Sequence, residues 1–395
     1  MATRRQWIVR VLGAGAGVFL ALQLVRPSLE NPPVTADLVA PADVKAVLKE
    51  SCYNCHSNET ELPVYDRIVP AYWLVVEDVK EGREHLSFSE IAKLPAGKQS
   101  AMLFDAFNQA WLGTMPPGRY TAVHPGAKLT PEKIAVLRAW ITTLATPPKK
   151  DQKEIEELAK GPIPPANGID FPADYKDWRP ISISERWDNG QVRQILGNDV
   201  AVKAIAAGLP VATWPDGASF AKIGWAARVD GDTWRAGEMS HVEFMFRDRK
   251  KYATTQGWGF ARWLGAGLKP YDDKSHGQEC IGCHAPMASK EYVYSVPFKR
   301  DNEVLGWRQL TTSADKTAKT VSVLYGDDAA IAYARSHADA KYPVGASLAL
   351  VTWNSEEDPN WFGARVPATV KSVERVTVKD EPLDARLAQR AATLP

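Results

Sequence analysis

The sequence predicts an α+β protein of several domains, helical in its first part and mainly antiparallel β in its second. Between residues 34 and 147, apolar residues recur at helical spacing. After residue 171, β-branched and aromatic runs are bounded by glycine, aspartate and proline, which is typical of strands. Part of this pattern returns near the C-terminus and predicts a repeated β unit. A chain of 395 residues can form two or three domains that each bury a core.

The N-terminus has basic residues ahead of an apolar run. Arg4 and Arg5 precede a mostly apolar stretch that reaches Val25. This order places the start of the chain in the cytoplasm and exports the rest. We expect residues 7–25 to anchor the protein in the inner membrane, with the remainder in the periplasm. The alternative is a soluble periplasmic protein after signal cleavage.

The overall charge argues against one class of partner. The chain has 48 lysine and arginine residues and 47 aspartate and glutamate residues, a net charge of +1. Because a nearly neutral chain lacks the basic signature of nucleic-acid binding, we expect no nucleic acid as a partner.

All four cysteines belong to two copies of one motif, Cys-x-x-Cys-His, the attachment signature of c-type haem. The copies are Cys52-Tyr53-Asn54-Cys55-His56 and Cys280-Ile281-Gly282-Cys283-His284. In each copy the cysteines would form thioethers with haem and the histidine would be an axial iron ligand. Three alternatives compete: a thioredoxin-like pair, which needs no trailing histidine, a zinc site, whose pairs usually lie closer, and ordinary disulfides. The motifs predict two covalently attached c-type haems.

The first motif lies in a region with the layout of a small α-helical cytochrome c. A short helix over Val44–Ser51 is predicted to deliver the motif, and Ser100–Leu112 has a helical stripe of apolar residues. Thr130 followed by Pro131 is typical of a helix start, and this helix should run through Leu144.

The iron held by His56 needs a sixth ligand or an open site. Met115 is the predicted ligand, because a methionine held by prolines well after the motif suits an electron-transfer haem. The alternatives are that His124 binds the iron or that Met115 only fills the core. His85 is interpreted as a surface or capping histidine.

This region resembles the bacterial haem-binding domain family of small monohaem cytochromes, over about Val34–Leu144. The similar segments are Cys52–Thr60, Glu81–Leu86, Met115–Pro117 and His124-Pro125. The resemblance implies electron transfer rather than catalysis.

The second motif comes after segments of strand character. Strands are predicted at Gln191–Leu196, Ser219–Val229, Ser240–Arg247 and Gly257–Leu264. Residues 199–207 are predicted as a helix, and the motif should lie on a loop or short helix. A haem bound mainly by strands is not the usual cytochrome c architecture.

This half resembles the cytochrome P-460 family, with the related c-prime-beta cytochromes. The similar segments are Asp216–Lys222, Gly257–Phe260 and Cys280–His284. The resemblance implies that Lys222 is covalently bonded to the haem and that Arg193 lies near the distal pocket. Glu243 and Glu291 are the candidates for the family's distal carboxylate.

Lys222 also has a structural interpretation, as a surface lysine on an amphipathic strand. In the functional interpretation, a cross-link to a ring carbon would distort the macrocycle and alter its electronics. A histidine as the only axial ligand would leave the sixth position open to a small molecule.

A shortened copy of the β unit is predicted at residues 305–380. Residues 215–225 match residues 343–353 at identical spacing, with leucine in place of the lysine and no haem motif. We expect the two units to pack on each other as a pseudo-dimer.

The predicted organisation combines these parts. It comprises an anchor or signal with its tether (1–33), an α-helical haem-binding cytochrome c domain (34–147), a linker with a helix at 151–160 (148–170), a cytochrome P-460-like haem domain (171–304), a degenerate β repeat without haem (305–380) and a tail (381–395).

We expect the C-terminal haem domain to act on hydroxylamine or nitric oxide, with Lys222 and Arg193 as catalytic residues. The N-terminal haem would relay electrons to an electron-transfer protein or a quinone-linked respiratory chain. Reversible binding of nitric oxide and plain dihaem electron transfer are the alternatives.

Overall fold

The computed structural model describes residues 4–147, 167–208, 211, 213–298, 303–336 and 341–379. They belong to two compact units, Met1–Thr143 and Leu144–Pro395. The helix predicted in the linker and the predicted tail lie outside the described residues. A helical first unit and an antiparallel β second unit confirm the α+β class.

The first unit is built from α-helices. They are α1 (Arg4–Leu22), α2 (Ala42–Ser51), α3 (Tyr53–His56), α4 (Ala71–His85), α5 (Ala96–Trp111), α6 (Gly118–Val123) and α7 (Pro131–Thr142). The Thr130 hydroxyl accepts a hydrogen bond from the Lys133 amide and caps α7 as the sequence predicts. Within the described residues, no helix is both long and apolar enough to cross a membrane.

Helix α4, which the sequence prediction missed, packs directly on the first haem motif. Its buried residues Tyr72, Val75, Val76 and Val79 follow helical spacing. A Cβ atom at Gly82 would lie 2.8 Å from the carbonyl oxygen of Cys55, so only glycine allows this close approach.

The segment predicted as a tether before residue 34 is packed against the helical unit. The Arg83 guanidinium donates hydrogen bonds to the carbonyl oxygen of Glu30 at 2.6 Å and to Asn31 Oδ1 at 2.7 Å. The Tyr72 hydroxyl donates to the carbonyl oxygen of Pro27 at 2.9 Å. These contacts correct the predicted boundary, because residues 27–31 belong to the domain.

The second unit contains ten strands in one antiparallel sheet and three α-helices among its described residues. The strands are β1 (Arg179–Arg186), β2 (Gln191–Gly197), β3 (Ser219–Asp230), β4 (Thr233–Arg247), β5 (Trp258–Leu264), β6 (Lys269–Pro270), β7 (Arg308–Asp315), β8 (Thr320–Gly326), β9 (Ser347–Glu357) and β10 (Ala364–Thr377). The helices are α8 (Asp199–Ala207), α9 (Gln278–His284) and α10 (Asp328–Ser336). The sheet order is β3-β2-β1-β10-β9-β8-β7-β4-β5-β6, and pairing of β3 with β4 closes eight strands into a ring.

Strands β1–β4 and β7–β10 are two copies of one four-stranded unit. Both copies have the same turn before the third strand, where Gly217 and Gly345 take φ values of 88° and 92°. Each of these glycine amides donates a 2.8 Å hydrogen bond to a carbonyl oxygen at or directly after the end of the copy's fourth strand, Arg247 or Val378. Strands β5 and β6 and helix α9 are attached only to the first copy among the described residues.

The two copies share a continuous sheet and a core. Strand β1 pairs with β10, and β7 pairs with β4, which are equivalent pairings between copies. The shared core contains Ile183, Val192 and Trp234 from the first copy and Val323, Val351 and Trp353 from the second. A pseudo-dimer requires a shared interface of this kind.

Candidate haem sites

The first haem motif is held so that one nitrogen of His56 is available to iron. His56 Nδ1 lies 2.9 Å from the carbonyl oxygen of Gly82 and 3.0 Å from that of Leu86. Since carbonyl oxygens only accept, Nδ1 carries the proton and Nε2 is the free ligand atom. Burial lowers the pKa of His56, which keeps the ring neutral, as iron ligation needs.

The cysteines of both motifs are thiols, and none of them is in a disulfide. Burial raises the pKa of Cys52 and Cys280 to about 12 and that of Cys55 to about 11. Among the residues that the structure describes, no group of three or more His, Cys, Asp or Glu side chains could hold a metal ion.

The two candidates for the sixth ligand of the first iron differ in availability. Both ring nitrogens of His124 are engaged, Nε2 with Asp66 Oδ2 at 2.7 Å and Nδ1 with the carbonyl oxygen of Tyr120 at 3.0 Å. Met115 lies in a loop after α5 and is 41 % exposed. The geometry therefore favours Met115, which stays a prediction.

Large apolar side chains lie exposed on several segments of the helical unit. They include Val64, Ile68, Leu74 and Val123. The Tyr65 hydroxyl donates to the carbonyl oxygen of Val123, which brings the turn at Val64–Arg67 next to α6. An uncovered apolar wall of this kind fits the face of a haem ring.

The second haem motif forms helix α9 and repeats the histidine geometry of the first. His284 Nδ1 lies 2.6 Å from the carbonyl oxygen of Tyr292, which leaves Nε2 as the ligand atom. Burial lowers the pKa of His284 to about 4. The Tyr294 ring meets the His284 ring edge to face at 5.2 Å, and its hydroxyl donates to the carbonyl oxygen of Cys283 at 2.9 Å.

Lys222 lies opposite Glu243 on the sheet face that α9 covers. Paired residues of antiparallel strands share a face, and Lys222, Glu243 and Arg262 are paired in one row across β3, β4 and β5. Lys222 Nζ forms an ion pair with Glu243, and Arg262 Nε lies 2.7 Å from Glu243 Oε1. Phe260 on the same face lies 5.3 Å from the His284 ring.

The charged side chains of this row affect one another's pKa and the pKa of His284 in the second motif. Burial alone would raise the pKa of Glu243, but the cations Lys222 and Arg262 hold it well below its usual range. Burial lowers the pKa of Lys222. Both Lys222 and Glu243 also act electrostatically on His284, so the row lies near this histidine.

Arg193, the other predicted catalytic residue, lies on the same face. It pairs with Gly224, one cross-strand row from Lys222. Burial lowers the pKa of Arg193 to about 9, and its Nε donates to Gln191 Oε1 at 2.9 Å. The structure thus brings Arg193, Lys222 and Glu243 together.

The two candidate distal carboxylates have different surroundings. Glu243 faces Lys222 in the pocket, whereas Glu291 accepts the Trp214 amide at 3.0 Å and forms an ion pair with Arg247. The structure therefore assigns Glu291 to a supporting contact and leaves Glu243 as the carboxylate of the pocket.

Sequence reasoning missed Arg262 and His241, which also face the pocket. The one sequence signal for His241 is Gly224 in the middle of a strand, because such a glycine often marks close approach of another group. Arg262 carries no comparable signal, since its role depends on the pairing of β4 with β5.

A loop of the second β copy supports the proximal side of this site. Asn360 is buried, its Nδ2 donates to the carbonyl oxygen of Tyr294 at 2.6 Å, and its Oδ1 accepts a hydrogen bond from Lys290. The Trp361 indole donates to Asp188 Oδ2 at 3.1 Å. Through Tyr294, the second copy fixes the backbone that surrounds His284.

The donor set of this face fits a haem. His284 and the two cysteines of α9 could hold the iron and the ring edge, and an apolar wall lies beside them. This wall contains Ile195, Phe220, Met245, Phe260 and Ile281. Lys222, Arg193 and Arg262 against the single carboxylate of Glu243 leave positive charge that suits haem propionates.

Comparison with known proteins agrees with these geometries. Residues 17–143 match the model of the haem-binding domain family, and residues 172–295 match that of cytochrome P-460. The chain is also 31 % identical over 96 residues to the cytochrome c peroxidase Ccp of Escherichia coli strain K12. That alignment covers 24 % of this chain and 21 % of the peroxidase, so the chain spans about a fifth of the relative's length. The chain therefore combines a haem-binding domain at residues 17–143 with a cytochrome P-460 domain at residues 172–295.

Proposed function

We propose that this haem cytochrome is a periplasmic dihaem oxidoreductase that acts on hydroxylamine or nitric oxide in its C-terminal domain and relays electrons through its N-terminal domain. The observation that carries the proposal is the position of Lys222 and Glu243 on the sheet face beside His284. A plain electron carrier has no need for a half-buried lysine and carboxylate at this place.

Bound haem would supply electron exchange with the nitrogen compound, and the side chains would supply binding and proton transfer. For hydroxylamine the balanced conversion is NH2OH to NO with release of three protons and three electrons. Glu243, ionised because cations hold its pKa low, can accept a proton at Oε1 or Oε2. Arg193 and Arg262 can orient a polar ligand and stabilise negative charge that develops on it.

Lys222 is proposed to bond through Nζ to a ring carbon of the haem. The new N–C bond would replace one N–H and one C–H bond, and the two hydrogens would leave as two protons and two electrons. A peroxide-class oxidant would take up those electrons. Burial lowers the pKa of Lys222, so the ammonium group that pairs with Glu243 loses its proton more readily than that of an exposed lysine.

His56 and Met115 are proposed to hold the N-terminal haem, which would supply electron transfer out of the protein. An electron-transfer protein or a quinone-linked respiratory chain would receive the electrons. The periplasm is the proposed location, because c-type haem is attached after export and basic residues precede the apolar N-terminal run. An alkaline wash of isolated membranes distinguishes the two possibilities for residues 7–25. A protein anchored by this segment stays with the membranes, whereas a protein whose signal has been removed is released.

Optical spectra test the proposal. The full chain and its Lys222→Ala variant would be produced in a host that attaches c-type haem, then compared reduced and after denaturation. We expect a strongly red-shifted band that survives denaturation and is lost in the variant, together with hydroxylamine oxidation. An ordinary c-type spectrum in both proteins would reject cross-linked catalysis. Reversible binding of nitric oxide would then indicate gas binding, and two six-coordinate irons would indicate plain electron transfer.

A further inference from the structure

The His241 ring occupies the space that a side chain at position 224, a glycine, would otherwise fill. His241 on β4 pairs with Gly224 on β3, one cross-strand row from Lys222 and Glu243. A Cβ atom at Gly224 would lie 2.6 Å from Cε1 and 2.8 Å from Nε2 of His241. The ring therefore lies across β3 over Gly224, on the face that carries the charged pocket.

The hydrogen bonds around His241 determine which ring nitrogen carries the proton. The Ser240 hydroxyl donates to the carbonyl oxygen of Gly224 at 2.9 Å. Its oxygen can then only accept from His241 Nδ1, which lies 3.2 Å away. Nδ1 is therefore protonated, and Nε2 presents a lone pair as an acceptor.

This acceptor is buried and has no hydrogen-bond donor. His241 Nε2 is without a partner in the described part of the chain, and Glu243 Oε1 lies 3.9 Å from it, beyond hydrogen-bond distance. Burial lowers the pKa of His241 to about 3, so the ring is neutral. An unsatisfied buried acceptor is costly and rare, which points to a donor that is supplied from outside the chain.

The same polar contacts orient Arg193 beside His241. Gln191 Oε1 accepts from Arg193 Nε at 2.9 Å, and Gln191 Nε2 donates to Ser240 Oγ at 3.4 Å. One pair of side chains thus holds both a cationic donor and a neutral acceptor. The pocket offers complementary groups to a small molecule that both accepts and donates.

We propose that His241 Nε2 accepts a hydrogen bond from a ligand with an O–H or N–H group, and so selects hydroxylamine over nitric oxide. The inference rests on the proposed function of the same pocket. Hydroxylamine has both kinds of hydrogen and lone pairs for Arg193, whereas nitric oxide has no hydrogen to donate. The second β copy has Thr352 and Ser372 at the two equivalent positions, so it has no imidazole there.

Equilibrium binding to the haem-loaded full chain tests this inference. Hydroxylamine and nitric oxide would be titrated separately into wild type, His241→Leu and His241→Gln, with the optical spectrum as readout. The leucine variant should bind hydroxylamine about 10-fold more weakly, the effect of one lost hydrogen bond, and nitric oxide within about 2-fold of wild type. Glutamine carries an acceptor oxygen at similar reach and should restore most of the hydroxylamine affinity.

A second variant guards against a general structural effect. Ser240→Ala removes the partner that orients Nδ1 and should weaken hydroxylamine binding by a smaller factor, about 3-fold. Equal losses for both ligands, or no loss for hydroxylamine, would overturn the role of His241. If wild type fails to bind hydroxylamine at all, the proposed function falls, and this inference falls with it.

Discussion

The two β copies of the C-terminal unit have the same strand register but different chemistry on one face. Cross-strand pairing aligns each pocket residue with a residue of the second copy. Four positions change, from Arg193 to Ser322, Lys222 to Leu350, Gly224 to Thr352 and His241 to Ser372, while Glu243 keeps its equivalent in Glu374. The fold therefore tolerates both versions, and a few face positions carry the chemistry.

The copies also differ in the segments attached after their fourth strand. The first continues into β5, β6 and the motif helix α9, which bring Arg262 and His284 to the face. The second contributes apolar residues to the shared core and Asn360 to the proximal side of the site. We interpret the second copy as a fused partner that supports a site it does not itself form.

The largest effect on stability is expected when a residue of the first copy is replaced by the residue at the equivalent position of the second copy. Gly224→Thr places a Cβ atom against the His241 ring and should lower the free energy of unfolding by about 1–3 kcal/mol. The reverse change, Thr352→Gly, removes a hydroxyl contact with Ser322 and should cost only about 0.5–1 kcal/mol. Chemical denaturation of the two variants measures both values. A larger loss of stability for Thr352→Gly than for Gly224→Thr would contradict the proposed difference between the two copies.

Removing the support from the second copy should have an intermediate effect. Asn360→Ala leaves the carbonyl oxygen of Tyr294 without its 2.6 Å hydrogen bond and should destabilise by about 1–2 kcal/mol. Because Tyr294 packs on His284, the reduction potential of a haem held by His284 should also shift. Asn354→Ala, an exposed asparagine of the same copy, is the matched control and should change neither quantity. Two indistinguishable variants would refute the supporting role.

The pH dependence of stability provides a further test, at Asp358 in the same loop. Burial raises the pKa of Asp358 from 3.8 to about 6, so the folded state binds its proton more tightly than the unfolded state. Its stabilising contribution is therefore present below about pH 4 and is lost as the pH rises through about 6.

Asp358→Asn cannot ionise and should remove that loss. Relative to wild type, the variant should gain about 2 kcal/mol at pH 8 compared with pH 4, read from urea unfolding at both pH values. The asparagine can still accept the 2.8 Å hydrogen bond from the Asn360 amide. A wild type and a variant with parallel pH profiles would show that Asp358 does not couple folding to protonation.

Local patterns allowed much of the fold and both motifs to be predicted. Helix α8 has the predicted bounds, because Asn198 caps it and a glycine ends it. Helix α4 was missed although its stripe of valines follows helical spacing, so that signal was available.

The composition of the pocket could not be predicted in full, because it depends on strand register. Glu243 faces Lys222 only through the pairing of β3 with β4, which places residues 21 positions apart side by side. Asn360 reaches Tyr294 across 66 residues from a loop without a distinctive motif. Local patterns in a single sequence do not show which distant residues come into contact.

The proposal that Lys222 of the first β copy bonds to haem is tested most directly by mass spectrometry. The protein would be denatured and digested with a protease, and its peptides mapped. We expect one haem attached to the peptide of Cys52 and Cys55. A second haem should join the peptide of Cys280 and Cys283 to the peptide that contains Lys222. A second haem attached only through its two cysteines would contradict the proposed role of Lys222, and a single haem on the whole chain would contradict the dihaem assignment.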